Sequence, residues 1–122
     1  MKYFFLAGRI IFALPFLVFG INHFIYAGTM GVYVPSFIPG GVFWIYLTGL
    51  SFIAASISII INKLINISAL LLAIELLIFI LTMHIPGLFK EGQTQMAMIG
   101  LCKDFAMMGG SLFIWAYYKD KK

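Results

Sequence analysis

Lys103 and Asp104 stand side by side within the otherwise apolar run Met96 to Tyr118, and two further charges, Arg9 and Glu75, interrupt other apolar runs. Each charged group near a bilayer centre costs about 2.5–3.5 kcal/mol on the insertion scale. Four facing lipid would therefore cost roughly 10–14 kcal/mol, comparable with the stability of a whole domain. All four are expected to point inward, where two positive and two negative groups can neutralise one another. Such a network can clamp a bundle together, or it can handle protons or a small ligand, because intramembrane ionisable groups mark functional pathways. Neighbours i and i+1 point about 100° apart on a helix, so Lys103 and Asp104 should serve different partners.

Two histidines add a second pattern. His23 and His84 lie near the ends of the first and third apolar runs, with Asn22 beside one and Thr82 close to the other. Similar depth lets them converge on a quinone headgroup by hydrogen bonds, or sit as amphipathic side chains at the interface. Two histidines alone are too weak a pattern to argue for haem. The expected ligand pocket comprises Asn22, His23, Thr82 and His84, beneath the loop Val34 to Gly41 and between the first, third and fourth runs.

The chain has a single cysteine, Cys102. That excludes an intrachain disulfide, a C-x-x-C redox pair and a multi-cysteine zinc or iron–sulfur site. Cys102 reads as a small packing residue, and Met96, Met98, Met107 and Met108 as flexible packing rather than a thioether metal site. No metal site is expected.

The elements that must position these groups follow from hydropathy. A spanning helix needs about 20 apolar residues to cross a core about 30 Å thick. Four stretches qualify, roughly Tyr3–Ala27, Val42–Ile61, Leu64–Ile85 and Met96–Tyr118. The chain is 63% hydrophobic and 10% charged, against about 25% charged in a soluble domain, so an all-α integral membrane four-helix bundle is expected, as one domain over residues 1–122. The first run is long and contains Arg9 and Pro15 rather than a small-x-small cleavage site, so it should be retained. The net charge of +4 sits mostly in flanks of apolar runs, which fits a membrane surface and not nucleic acid.

Lys2, Lys63, Lys119, Lys121 and Lys122 fall on one side and Lys90 on the other, so both termini should be cytoplasmic. Gly28 to Gly41 and Pro86 to Gln95 then form outer loops, and Asn62-Lys63 a tight inner turn. Counting about 1.5 Å per residue from the cytoplasmic edge puts Arg9 about 9 Å in, Glu75 about 16 Å and the Lys103/Asp104 pair about 21–23 Å. Arg9 from below and Lys103 from above should approach Glu75 along their flexible stems. Gly109-Gly110 should admit another helix backbone, with the other segments packed around this last run.

In order along the chain, Gly8-Arg9, Phe19-Gly20-x-x-His23, the Pro35/Phe37/Pro39 loop, Trp44 with Thr48-Gly49, His84-x-Pro86 and Lys103-Asp104-x-Ala106-x-x-Gly109-Gly110 resemble the DoxX family of small four-helix membrane proteins. The resemblance implies a multi-pass protein of the bacterial inner membrane. It also implies an auxiliary or redox-associated component, because some relatives are subunits of quinone-linked or other oxidoreductase systems. Quinone, a redox enzyme subunit and further copies of the chain are the partners it suggests, besides the bilayer. It does not imply catalysis by the chain alone. A small proton-coupled transporter using Glu75, or a non-catalytic scaffold, are the alternatives.

Overall fold

A computed structural model describes residues 1–31 and 39–120, apart from the side chain of Met30. The first long helix, α1, runs Lys2–Ile25, and a short helix, α2, follows at Ala27–Met30. Then come α3 (Val42–Ile61), α4 (Ile65–Phe79), a π-helical turn (Ile80–His84), α5 (Ile85–Gly87) and α6 (Thr94–Tyr118). No strand occurs among the described residues. Among the described residues four helical segments are long and apolar enough to cross a membrane: α1, α3, the run Ile65–Gly87 and α6. The protein is an all-α membrane four-helix bundle. The expected loop Val34 to Gly41 lies largely outside the described residues.

The turn between α3 and α4 is built by local chemistry. Asn62 and Leu64 both take positive φ, 60° and 55°. Asn accepts the left-handed region readily, whereas a bulky Leu there carries strain. Ser58 holds the turn together: its backbone carbonyl accepts the Lys63 N–H at 3.1 Å, its hydroxyl donates to the Lys63 carbonyl, and it accepts from the Ser68 hydroxyl at 2.7 Å.

The third span widens one turn before Pro86. Proline has no N–H to give to the carbonyl four residues back, and helices absorb that defect by locally loosening their hydrogen-bond ladder. The freed geometry is the π turn Ile80–His84, where the Thr82 hydroxyl donates to the Ile78 carbonyl at 2.7 Å. An extra residue in one turn rotates the downstream residues by roughly 100° relative to an unbroken α-helix.

The helices pack as two pairs, α1 with α3 and α4 with α6, joined through the α3–α4 seam, while the backbones of α1 and α6 stay apart and meet through long side chains such as Arg9 with Tyr118 and Phe5 with Tyr117. The expectation that everything packs around the last span is corrected: α6 is one side of one pair. Gly20 and Gly49 make the α1–α3 crossing close, since a Cβ on Gly20 would stand 2.7 Å from the Gly49 carbonyl and one on Gly49 2.9 Å from the Gly20 carbonyl. The core they lock is largely aliphatic and aromatic, with Ala13, Phe16, Phe52, Ile59, Leu72 and Ile114. Of the expected packing pair, Gly110 lies against Phe12 of α1, where a Cβ would come within 2.8 Å of the ring, but Gly109 faces open space. Met107 and Met108 pack against the core, whereas Cys102 is exposed and is not the packing residue expected.

Candidate functional site

The four intramembrane charges do not form one network. Among the described residues the close contact between an acid and a basic side chain is Asp104 with His84, the imidazole Nε2–H donating to Oδ2 at 2.6 Å. Asp104 is only 4% exposed, and a buried carboxylate needs such a partner. Three features bring them together. The π turn aims the ring at α6, Asp104 lies one helical turn past Gly100, and Gly100 has no Cβ to block the ring, for one would stand 2.6 Å from His84 Cε1.

Lys103 is exposed rather than inward. With Asp104 pointing into the bundle, the preceding residue must point about 100° away, to the flank. There its ammonium lies over the ring of Phe19 on α1, 4.8 Å from the centroid, an attraction that strengthens where water is scarce. The Phe19 carbonyl accepts a hydrogen bond from His23 Nδ1 at 2.6 Å. Because a carbonyl can only accept, His23 carries its proton on Nδ1. The other face of the His23 ring meets Phe52 edge-on, with centroids 5.5 Å apart. His23 thus belongs to the α1–α3 seam and His84 to the contact between the π turn and α6, with Phe19 and Lys103 linking the first to α6. Thr82 bonds to its own helix, so it does not furnish a hydrogen bond beside His84. Asn22 is half-buried, and its backbone carbonyl caps α1 by accepting the Tyr26 N–H.

Glu75 sits in the α3–α4 seam, where Oε1 accepts from the Ser51 hydroxyl at 2.8 Å. Neither Arg9 nor Lys103 pairs with it, against expectation. Ser51 pairs with Glu75 and Ser58 with Ser68, seven residues apart on each helix, so they form one polar stripe along this antiparallel seam.

Arg9 reaches away from Glu75, toward the end of the bundle that holds both termini. Nη1 donates to the Tyr118 hydroxyl at 2.9 Å and Nη2 to the Ile60 carbonyl at 3.3 Å. Ile60 is in the last turn of α3, whose carbonyls lack helical donors and carry the negative end of the dipole. A long stem lets the guanidinium snorkel to that level. Beside it, the gap between α1 and α6 forms a cleft of about 370 Å³ lined by Phe4, Phe5, Gly8, Arg9, Phe12, Gly110 and Ile114.

The order of these groups can be set against known proteins. The sequence pattern of the DoxX family matches residues 4–85, well over half of the chain. The chain belongs to the DoxX family. No curated protein and no solved structure matches it. The DoxX match takes in Arg9, His23, Glu75 and His84 but ends before α6, so Lys103 and Asp104 enter the site through the fold. Sequence reasoning puts His84 and Asp104 near one pocket without pairing them. It misses Gly100, Phe19, Ser51 and Tyr118 as their neighbours and those of the other charges. A His before a Pro-broken turn, and a glycine four residues before an intramembrane Asp, are the available signals.

Proposed function

We propose that this DoxX protein is an auxiliary membrane subunit of a redox system that receives a quinone headgroup in the half of the bundle away from the termini, beside Lys103, Asp104 and His84. The observation that carries this reading is the hydrogen bond of half-buried His84 to buried Asp104 at 2.6 Å, with Lys103 at the adjoining position. Reducing a quinone takes two electrons and two protons; the electrons would come from a partner enzyme, since this chain offers no cysteine pair. The chain itself supplies proton handling and orientation. Asp104 fixes the imidazole through Nε2, the usual way a carboxylate sets a histidine's orientation and proton, while Nδ1 has no hydrogen-bond partner among the described residues. Lys103 offers a cation that rests on the face of Phe19 on the opposite helix, so a quinone headgroup arriving between α1 and α6 would draw the ammonium off that ring and take its place there. The distribution of Lys supports cytoplasmic termini, and membership of the DoxX family supports an inner-membrane setting.

The test is photolabelling in nanodiscs with an azido-quinone. Label should fall on α1 and α6 near Phe19 and Lys103, and drop in Asp104→Asn and Lys103→Met but not in Glu75→Gln. Labelling that ignores Asp104 and Lys103 would remove the reading.

A proton-coupled carrier is the second reading, favoured by Glu75 having a hydroxyl rather than a cation for its partner. Purified protein in vesicles should then acidify or alkalinise the lumen when substrate is supplied, and Glu75→Gln should stop it. A scaffold would do neither.

A further inference from the structure

The cleft at the opposite end of the bundle is independent of that reading, and its chemistry is different. We infer that the α1–α6 cleft beside Arg9 is a binding site for one anionic phospholipid of the leaflet on the side of the two termini, its phosphodiester held by the Arg9 guanidinium and an acyl chain lying against Phe4, Gly8, Phe12 and Ile114.

The walls are apolar. Apart from Arg9, every lining residue is Phe, Gly or Ile, and the volume of about 370 Å³ falls within the range of sites that take small ligands. The cleft exists because the backbones of α1 and α6 stay apart and only long side chains bridge them, and it faces the bilayer: Phe4 is 78% exposed, and a Cβ on Gly8 would meet nothing within 4 Å.

The level is right for a headgroup. Arg9 lies about 10 Å along α1 from Lys2 by the helical rise, but its guanidinium ends at the last-turn carbonyl of Ile60 and at Tyr118, the final residue of α6. Those are the ends of two spans, where the bilayer becomes polar. A guanidinium carries five N–H donors. One on each Nη is committed, and Nε is buried with no hydrogen-bond partner among the described residues, so donors remain on the Nη atoms for a fork of phosphate oxygens, the geometry Arg suits best.

Charge selects the occupant. Lys2, Lys63 and Lys119 stand exposed at the same end of the bundle, against one acid there among the described residues, Asp120. Basic groups at that level attract lipids of net negative charge over zwitterionic ones. A second copy docked about a two-fold axis would instead bring two Arg9 guanidinium groups toward each other in a low-dielectric setting.

The experiment is native mass spectrometry of the delipidated full chain, incubated with bicelles of phosphatidylglycerol and phosphatidylethanolamine in equal amounts. Wild-type protein should keep one phosphatidylglycerol in preference to phosphatidylethanolamine. Arg9→Gln should weaken retention by about tenfold or more, the value of losing a charged hydrogen bond. Arg9 also braces Tyr118 and α3, so a second variant separates binding from folding: Gly8→Leu adds a side chain in open space, keeps Arg9 and its hydrogen bonds, and fills the cleft. It should lose the lipid while melting at or above the wild-type temperature. Equal retention of the two lipids, retention of phosphatidylglycerol by Gly8→Leu, or a dimer that Gly8→Leu abolishes would each overturn the assignment.

Discussion

His84 and Asp104 meet across the gap between the π turn of the third span and α6, Nε2 to Oδ2 at 2.6 Å, with the ring resting where Gly100 has no side chain. The pair stands twenty residues apart in the chain, and it closes the end of the bundle away from the termini.

That pairing predicts coupled stabilities. Asp104→Asn and His84→Gln should each lower the melting temperature in detergent. The double variant should lose less than the sum, with a coupling energy of about 1–3 kcal/mol, because the residues share one hydrogen bond in a dry setting. Strictly additive losses would show the two side chains apart in the membrane.

Gly100→Ala should reproduce much of the His84→Gln loss, about 1–3 kcal/mol, because the new methyl must displace the imidazole. Combined with His84→Gln, it should add little. Gly109→Ala is the control: with nothing within 4 Å of its Cβ, it should be neutral or stabilise by up to about 1 kcal/mol through helix propensity. Both are read by thermal melts.

Glu75 and Lys103 should behave independently. Glu75→Gln and Lys103→Met are expected to give additive changes, because Lys103 lies over Phe19 and Glu75 bonds to Ser51. Ser51→Ala and Glu75→Met should instead be non-additive by about 0.5–1.5 kcal/mol, the net value of a typical hydrogen bond. A double-mutant cycle on each pair decides between them.

The Lys distribution predicts topology. Reporter fusions after Asp120 and between Lys90 and Gln93 should report opposite sides, with the C-terminal fusion cytoplasmic. A C-terminal fusion on the far side of the membrane would reverse every assignment of inner and outer end.

Hydropathy alone determined that this chain crosses a membrane four times, because each span is a local property: about 20 consecutive apolar residues are enough, whatever they later touch. The tight turn after Ile61 was legible for the same reason, and so was the divergence of Lys103 from Asp104, which needs only the 100° step of a helix. Partner choice was not legible. Arg9 and Glu75 have complementary charge and compatible depth, yet the stem of Arg9 leads to the end of α3, and the face carrying Glu75 turns toward Ser51. Those outcomes depend on how each helix is rotated about its own axis, and close crossings such as Gly20 on Gly49 set that rotation. The π turn before Pro86 then swings His84 by an amount that no α-helical count contains. Only the tertiary structure could decide that the buried acid of α6 meets a histidine, and that α1 and α6 part far enough to leave a cleft beside Arg9.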